Sequence, residues 1–265
     1  MISKHFINKD IFDKTVSLSQ SYISNEPFPH IIVDDLFENE ILNKILEEFP
    51  KELGNKGEIY NNKAEKKVTL NKTENLSDST NNFINFLNSD IFIRFLQKLT
   101  SINETLIPDP LLIGGGLHEL KNGGFLNIHS DFNRHPKTML DRRLNVLIYL
   151  NKDWKEEYGG ELQLWDKNME KCYKKINPLF NRMVVFSTTD FSYHGNPTLV
   201  KNPNNISRKS IAMYYYSNGR PENEVVLGDH STIFRKRPGS SDIDGNLYYK
   251  KIFGKLYIRT KKKIK

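Results

Sequence analysis

The sequence predicts a mainly β fold with helical support, an α+β chain whose strands close into a sandwich or barrel. Three observations predict it. From Pro108 onward, short β-branched and aromatic runs follow one another, separated by Gly, Asn, Asp and Pro. No helical stretches alternate with these runs, which disfavours a parallel doubly wound sheet. The residues before 108 instead carry apolar positions at helical spacing.

The runs that read as strands are 111–113, 125–129, 143–150, 161–165, 182–187 and 210–216. Ahead of them, FPHIIV at 28–33 reads as one early strand. Asp34 and Asp35 are expected to cap a helix whose stripe is Leu36, Ile41, Leu42, Ile45, Leu46 and Phe49, closed by Pro50. The Asn-, Lys- and Glu-rich stretch 51–76 reads as a surface loop. Phe83, Ile84, Phe86 and Leu87 predict a second helix. Ile91, Phe92, Phe95, Leu96 and Leu99 predict a third. These stripes are core-facing supports. After Gly219 the chain turns polar, as expected of an extension packed on the barrel. The expected organisation is therefore a mainly helical support region over 1–107, a β core over 108–219 and an extension with a basic tail over 220–265, together one structural domain.

Bulk properties narrow the function classes. The chain has 265 residues, 37% of them hydrophobic, and a mean hydropathy of −0.58. No apolar run approaches the roughly 18 residues that span a bilayer. The first residues lack a continuous apolar stretch, so no signal peptide is expected. Cys172 is the single cysteine and excludes an intrachain disulfide, which fits a reducing cytoplasm. The net charge is +7, and five of the positive charges lie in 259–265. A frayed, solvated tail is the expected reading; contact with nucleic acid or an anionic surface is the alternative. There is no zinc-finger spacing and no repeat. Gly114, Gly115 and Gly116 lack the strand-to-helix context and the lysine of a phosphate-cradling loop.

The residues that carry chemistry are His129 and Asp131, in the tripeptide HSD, and the isolated His194. Two imidazoles and one carboxylate are the ligand set of a mononuclear iron site, and they leave about half of an octahedral ion's positions open. Arg208 follows, opening an alternating strand, where it can anchor a co-substrate carboxylate. His129 ends a strand-like run after the turn pair Gly123 and Gly124, and His194 comes just after the run 182–187. Each candidate thus sits at the mouth of a separate strand, the way a barrel gathers ligands at one end. A His-x-Asp pattern alone is weak. The alternative stays open that Asp131 caps a turn and His129 is a buried, hydrogen-bonded histidine.

Residues 110–217 resemble the Fe(II)- and 2-oxoglutarate-dependent oxygenases, specifically the prolyl 4-hydroxylase-like branch that includes the oxygen-sensing prolyl hydroxylases. The resemblance rests on motifs in order: HSD at 129–131, IYLNKDW at 148–154, GGEL at 159–162, PLFNRMVVF at 178–186, His194, and Arg208 on the last strand. It implies a double-stranded β-helix core of the jelly-roll, cupin-like kind, with eight strands in two facing sheets. It also implies Fe(II), 2-oxoglutarate as co-substrate and O2, with ascorbate as an optional accessory. His129, Asp131 and His194 would hold the iron. Arg208 matches the cation that receives the far carboxylate of 2-oxoglutarate, a role suited to a planar, always-charged fork. Ser210, two residues on and on the same face, could share that carboxylate, and Tyr149 matches a tyrosine that many relatives direct at it. His118, on the strand before the metal motif, matches a polar position that touches co-substrate or substrate.

Plain alternatives stand beside each: Tyr149 as barrel core, Ser210 satisfied by backbone, Arg208 as a surface charge, His118 as a structural histidine. Asn127 and Asn145 are expected to face the cavity by alternation. Two departures from the family pattern are the 197–207 insert ahead of Arg208 and the short basic loop 132–142. That loop carries Arg134, His135, Lys137 and Arg142 and reads as solvated charge, or else as a contact for an anionic substrate.

The function implied is hydroxylation of an unactivated C–H bond, with a peptide prolyl residue as the first expected substrate. A free amino acid, a sugar or another small metabolite is the second. Asp131 is the carboxylate that halogenating relatives lack, which argues for hydroxylation. A non-catalytic jelly-roll binding module is a rival, and a nucleic-acid-modifying oxygenase ranks last for want of an aromatic and basic reading surface. No membrane partner is expected, and the sequence sets no oligomeric state.

Overall fold

The computed structural model describes residues 6–225 and 227–245. The basic run 259–265 lies outside the described residues. The chain opens with α1 (Lys9–Val16), capped by the Asn8 side chain on the Ile11 amide, then α2 (Ser19–Ser24) and strand β1 (His30–Asp34). Helix α3 (Asn39–Glu47) follows, then β2 (Glu58–Asn61) and β3 (Glu65–Leu70). Helix α4 (Asp78–Leu87) starts at Ser77, whose hydroxyl accepts from the Thr80 amide at 3.2 Å, and α5 (Asp90–Thr100) ends at Ser101 in the left-handed region. The remaining strands are β4 (Ile107–Pro108), β5 (Gly116–Leu120), β6 (Phe125–Ser130), β7 (Asp141–Tyr149), β8 (Leu162–Trp165), β9 (Cys172–Ile176), β10 (Arg182–Ser187), β11 (Tyr193–Asn196), β12 (Arg208–Ser217) and β13 (Ile233–Phe234).

These strands join one antiparallel sheet in the order β1-β10-β7-β12-β5-β3-β6-β11-β8-β9, with β2 on β3, β4 on β12 and β13 on β6. The sheet curls so that its two ends face each other, which makes the double-stranded β-helix core. Period-2 alternation then sorts the side chains. On one face, Leu144, Val146 and Ile148 of β7, Met183 and Val185 of β10, and Ile211, Met213 and Tyr215 of β12 pack against Phe83, Phe92, Phe95 and Leu96 of the helices. Tyr215 secures this contact through its hydroxyl, which donates to Leu87 O at the end of α4, 2.8 Å away. On the other face, Tyr149, Val184 and Phe186 meet Leu162, Leu164 and Ile176 across the barrel. Both faces of β7 are buried, which is why its residues after Arg143 read in sequence as an apolar run broken only by Asn145.

The structure corrects several expectations. The stretch 51–76 is not simply a loop: β2 and β3 form a hairpin within it, and β3 joins the barrel between β5 and β6. Its alternation was hidden because the cavity-facing positions, Lys67 and Thr69, are polar while Val68 and Leu70 face the core. The run 111–113 is a turn, because the Asp109 carboxylate accepts the amides of Leu111 and Ile113. Asp34 and Asp35 do not cap α3: Asp34 ends β1 and pairs with Arg182, Asp35 has φ of 57°, and Glu38 is the N-cap. Short strands β9 and β11 and helices α1 and α2 were not visible as periodic segments. Among the described residues no helix is long and apolar enough to cross a membrane.

Candidate metal and co-substrate site

Strand pairing builds the site. His129 of β6 lies directly opposite His194 of β11, so both imidazoles project from one face. Asp131, two residues beyond His129, returns to that face as β6 ends. A bulge lies between His194 and Asn196, where two residues of β11 oppose three of β6. Gly195 at this point lets the strands approach, since a Cβ there would come within 2.7 Å of Asn127 O. The bulge also breaks the alternation of β6. Leu126 and His129 line the cavity, whereas Asn127 turns its amide to Lys63 O and, against expectation, does not line it.

The three side chains converge: one ligand atom from each lies within 4.8 Å of the others. His129 Nε2 is 3.5 Å from Asp131 Oδ1, and His194 Nε2 is 3.4 Å from Asp131 Oδ2. Each ring is oriented from behind. His129 Nδ1 donates to Asn127 O at 2.8 Å, and His194 Nδ1 donates to Ser192 O at 2.9 Å. A carbonyl accepts only, so Nδ1 carries the hydrogen in each ring and Nε2 is the nitrogen turned into the site. Burial, with the neighbouring His129 and Arg142, outweighs Asp131 and pushes the His194 pKa down to about 4, so this imidazole stays neutral and able to ligate. Burial alone would raise the Asp131 pKa, but the Arg142 guanidinium holds it well below the usual carboxylate range.

Arg142 and Asn145 were not both foreseen. Asn145 faces the cavity as alternation predicts, and its Nδ2 donates to Asp131 Oδ2 at 2.7 Å. Arg142, expected from sequence as solvated charge or else as a contact for an anionic substrate, is 1% exposed. Its Nη2 reaches Asp131 Oδ2 at 3.1 Å, and Nη2 and Nε both donate to Asn145 Oδ1. The guanidinium is held between Phe132 and Tyr214, with ring centroids 4.4 and 3.5 Å from Cζ. His135 of the same loop is also buried, beside Asp109 at 3.4 Å, with Nδ1 accepting from the amides of Lys137 and Thr138. The signal available in sequence was position: Arg142 falls inside β7, not in the loop before it.

A cavity of about 240 Å³ opens over these groups, and Arg208, Ser210 and His118 line it too. Arg208 is 3% exposed, which removes the reading of it as a surface charge. Its Nε donates to Gly160 O at 2.8 Å, and it has no ion pair with a carboxylate among the described residues. Gly160 is required for this approach: it sits at φ of 69°, and a Cβ would come within 3.1 Å of Arg208 Cδ. Tyr149 lies beneath, its ring centroid 4.9 Å from Arg208 Cζ and its hydroxyl buried without a hydrogen-bond partner. Strand register sets Thr69, His118, Ser210 and Tyr149 in one row across β3, β5, β12 and β7. His118 Nε2 donates to Gly114 O at 3.1 Å, and burial together with the nearby Lys67 pushes its pKa down to about 3. Tyr60, Glu65, Lys67 and Thr69, all in the stretch read as a loop, also line the cavity.

The donor set fits a divalent iron, being two imidazoles that each turn Nε2 into the site and one carboxylate. A buried guanidinium that has no carboxylate partner among the described residues, beside a buried phenol, fits a dicarboxylate's far end.

Comparisons with known proteins agree. A family model described as the 2OG-Fe(II) oxygenase superfamily matches residues 115–216. Among solved structures, a prolyl-4-hydroxylase from Pseudomonas putida superposes with a TM-score of 0.57 at 11% identity, covering 77% of this chain and 100% of that one. A prolyl hydroxylase from Trichoplax adhaerens, in complex with a hypoxia inducible factor oxygen degradation domain peptide fragment, gives 0.58 at 17% identity, covering 84% and 98%. HygX from Streptomyces hygroscopicus, with nickel and 2-oxoglutarate bound, gives 0.50 at 10% identity, covering 77% and 92%. Residues 115–216 belong to the 2OG-Fe(II) oxygenase superfamily, on a prolyl-4-hydroxylase-like fold. The chain is accordingly a 2-oxoglutarate-dependent dioxygenase, and its cofactors are Fe(II), 2-oxoglutarate and O2.

Proposed function

We propose that this enzyme hydroxylates an unactivated C–H bond, and that a prolyl residue in a peptide is the substrate. The observation that carries the reaction class is the convergence of His129, Asp131 and His194 within 4.8 Å, with Arg208 buried and without an ion pair in the same cavity. In this reading the three converging side chains hold the iron. Arg208, with Tyr149 and Ser210, holds the far carboxylate of 2-oxoglutarate, and His118 lies along the same row. When bound there, iron(II) and 2-oxoglutarate would supply oxidative decarboxylation, one atom of O2 entering succinate as CO2 leaves and the other entering the substrate C–H bond. The protein's part is orientation and shielding. Asn127 O and Ser192 O fix the imidazoles, Arg142 and Asn145 keep Asp131 ionised and placed, and Phe132, Phe234, Leu147 and Leu162 make the apolar wall that keeps water away.

The peptide reading draws support from the fold shared with prolyl hydroxylases, and is analogy at the level of substrate. A free amino acid is the second reading. It is favoured by the Lys67–Glu65 ion pair in the cavity wall, at 3.0 Å with side chains 15% and 13% exposed, because paired charges suit a zwitterion. Succinate release assayed with proline-containing peptides and with a panel of amino acids, sugars and other metabolites separates the two. Stimulation by peptides alone supports the first reading, and stimulation by amino acids alone replaces it. We read 1–107, 108–219 and 220–265 as support, catalytic core and extension of one domain; the contributions of β1 and β3 to the barrel sheet support this. We place the enzyme in the cytoplasm, a reading supported by the free thiol of Cys172.

A further inference from the structure

Behind the catalytic wall lies a second cavity, of about 460 Å³, that shares no lining residue with the first. Neighbouring residues locate it. His194 lines the catalytic cavity and Tyr193 the second; Phe234 lines the first and Arg235 the second. Alternation along β11 and β13 thus puts the two cavities on opposite faces of one sheet layer.

The second cavity is cationic. Lys167 enters from the β8–β9 turn, which Asp166 closes by accepting the amides of Asn168, Glu170 and Lys171. Arg235, Lys236 and Arg237 enter from the other side, directly after β13. A tight turn over 237–240 directs that run, with the Ser240 amide donating to Arg237 O at 3.2 Å and Gly239 at φ of 68°. Arg235 is already oriented: its Nε and Nη2 donate to the Tyr193 hydroxyl at 3.1 and 2.9 Å. Arg237 is paired with Asp242 at 2.6 Å, and Asp244 also lines the cavity. Lys167 and Lys236 have no carboxylate partner among the described residues and are exposed at the rim. Four basic side chains and the Asp244 carboxylate therefore line one concave space, with Asp242 paired to Arg237 beside it. Like charges brought together from two separate chain segments repel unless an anion sits between them.

We propose that this outer cavity is a binding site for a small multivalent oxyanion of the phosphate class. Lys167 and Lys236 supply compact charge from two separate chain segments, beside the Arg235 guanidinium that Tyr193 holds in place. Occupancy ties the 235–239 run to the β8–β9 turn. It thereby holds Phe234, whose ring centroid is 5.6 Å from that of His129, against the catalytic wall. The site stands on its own geometry, whatever substrate the catalytic cavity takes.

The test is calorimetric titration of inorganic phosphate into the full chain, compared with the double variant Lys167→Glu/Lys236→Glu and with Lys44→Glu, a charge reversal on exposed α3. Saturable one-site binding is expected in the parent, weakened at least tenfold in the double variant, unchanged in Lys44→Glu and undisturbed by excess 2-oxoglutarate. Lys236→Gln, which removes charge without adding repulsion, is expected to fall between. No binding, equal binding by all variants, or displacement by 2-oxoglutarate overturns the proposal; the last result places the phosphate at Arg208 instead.

Discussion

Asp131 is held from several directions, because Arg142 and Asn145 both reach its Oδ2 while both histidines face it. Removing Asn145 leaves the carboxylate free to rotate away from the imidazoles. Loss of such a supporting hydrogen bond typically weakens metal binding roughly 10–100-fold. Asn145→Ala is therefore expected to raise the iron dissociation constant within that range while the melting temperature moves little. Arg142→Met differs, because it strands a carboxylate that is 11% exposed beside a buried gap. Breaking one side of a buried ion pair costs about 3–5 kcal/mol, so thermal unfolding should show a large loss of stability even without metal. At the other end of the cavity, Arg208→Met removes charged hydrogen bonds worth about 1.5–3 kcal/mol. The KM for 2-oxoglutarate should then rise roughly 10–100-fold, and an unchanged KM would deny Arg208 its assigned role. His129, Asp131 and His194 were legible in sequence through the order of motifs shared with the oxygenases, and Arg208 through its place at the start of an alternating strand. Arg142 was not, since a guanidinium buried between two aromatic rings has the same local sequence signature as one in water.

Among the elements, the 227–234 segment is held by a charged latch at His230, beside the Arg134–Asp229 ion pair at 3.3 Å. His230 Nδ1 donates to Ser231 O and its Nε2 to Asp190 Oδ1, both at 2.8 Å, while the Leu227 amide donates to Asp190 Oδ2. Two acceptors require both ring nitrogens to carry hydrogen, so His230 is cationic here. Burial would lower its pKa, but the Asp190 carboxylate and the Ser231 carbonyl raise it above the ordinary histidine value. A raised folded pKa means that the latch contributes fully below about pH 6.5, the unfolded value, and is lost as pH climbs through the folded one. Amide hydrogen exchange over 227–234 should therefore accelerate with pH beyond its chemical rate, and His230→Gln should abolish that excess. At α4, the Ser77 cap is worth about 1 kcal/mol. Ser77→Ala should lower the melting temperature by about 2 °C in a chain of this size. The helices α3, α4 and α5 were legible because their stripes repeat at 3.6 residues. The β2–β3 hairpin was not, because a strand that lines a polar cavity on one face loses the apolar signature of that face.

For the molecule as a whole, the curled sheet brings residues from positions 60 to 234 around one cavity. Any ligand that binds only the folded barrel must stabilise all of it. At a hundredfold excess over its dissociation constant, such a ligand adds about 2.7 kcal/mol. Iron(II) and 2-oxoglutarate together should raise the melting temperature of the parent and leave that of Asp131→Ala unmoved. The barrel was legible from strand spacing, but its closure was not, since the pairing of β3 with both β5 and β6 is a long-range event that no local pattern encodes. The most direct test of the central claim is an anaerobic absorption titration of iron(II) into the enzyme with 2-oxoglutarate present. The account predicts a visible charge-transfer band that saturates at one iron per chain and is missing in Asp131→Ala and His194→Ala. A flat spectrum in the parent, or an unchanged band in those variants, would contradict it.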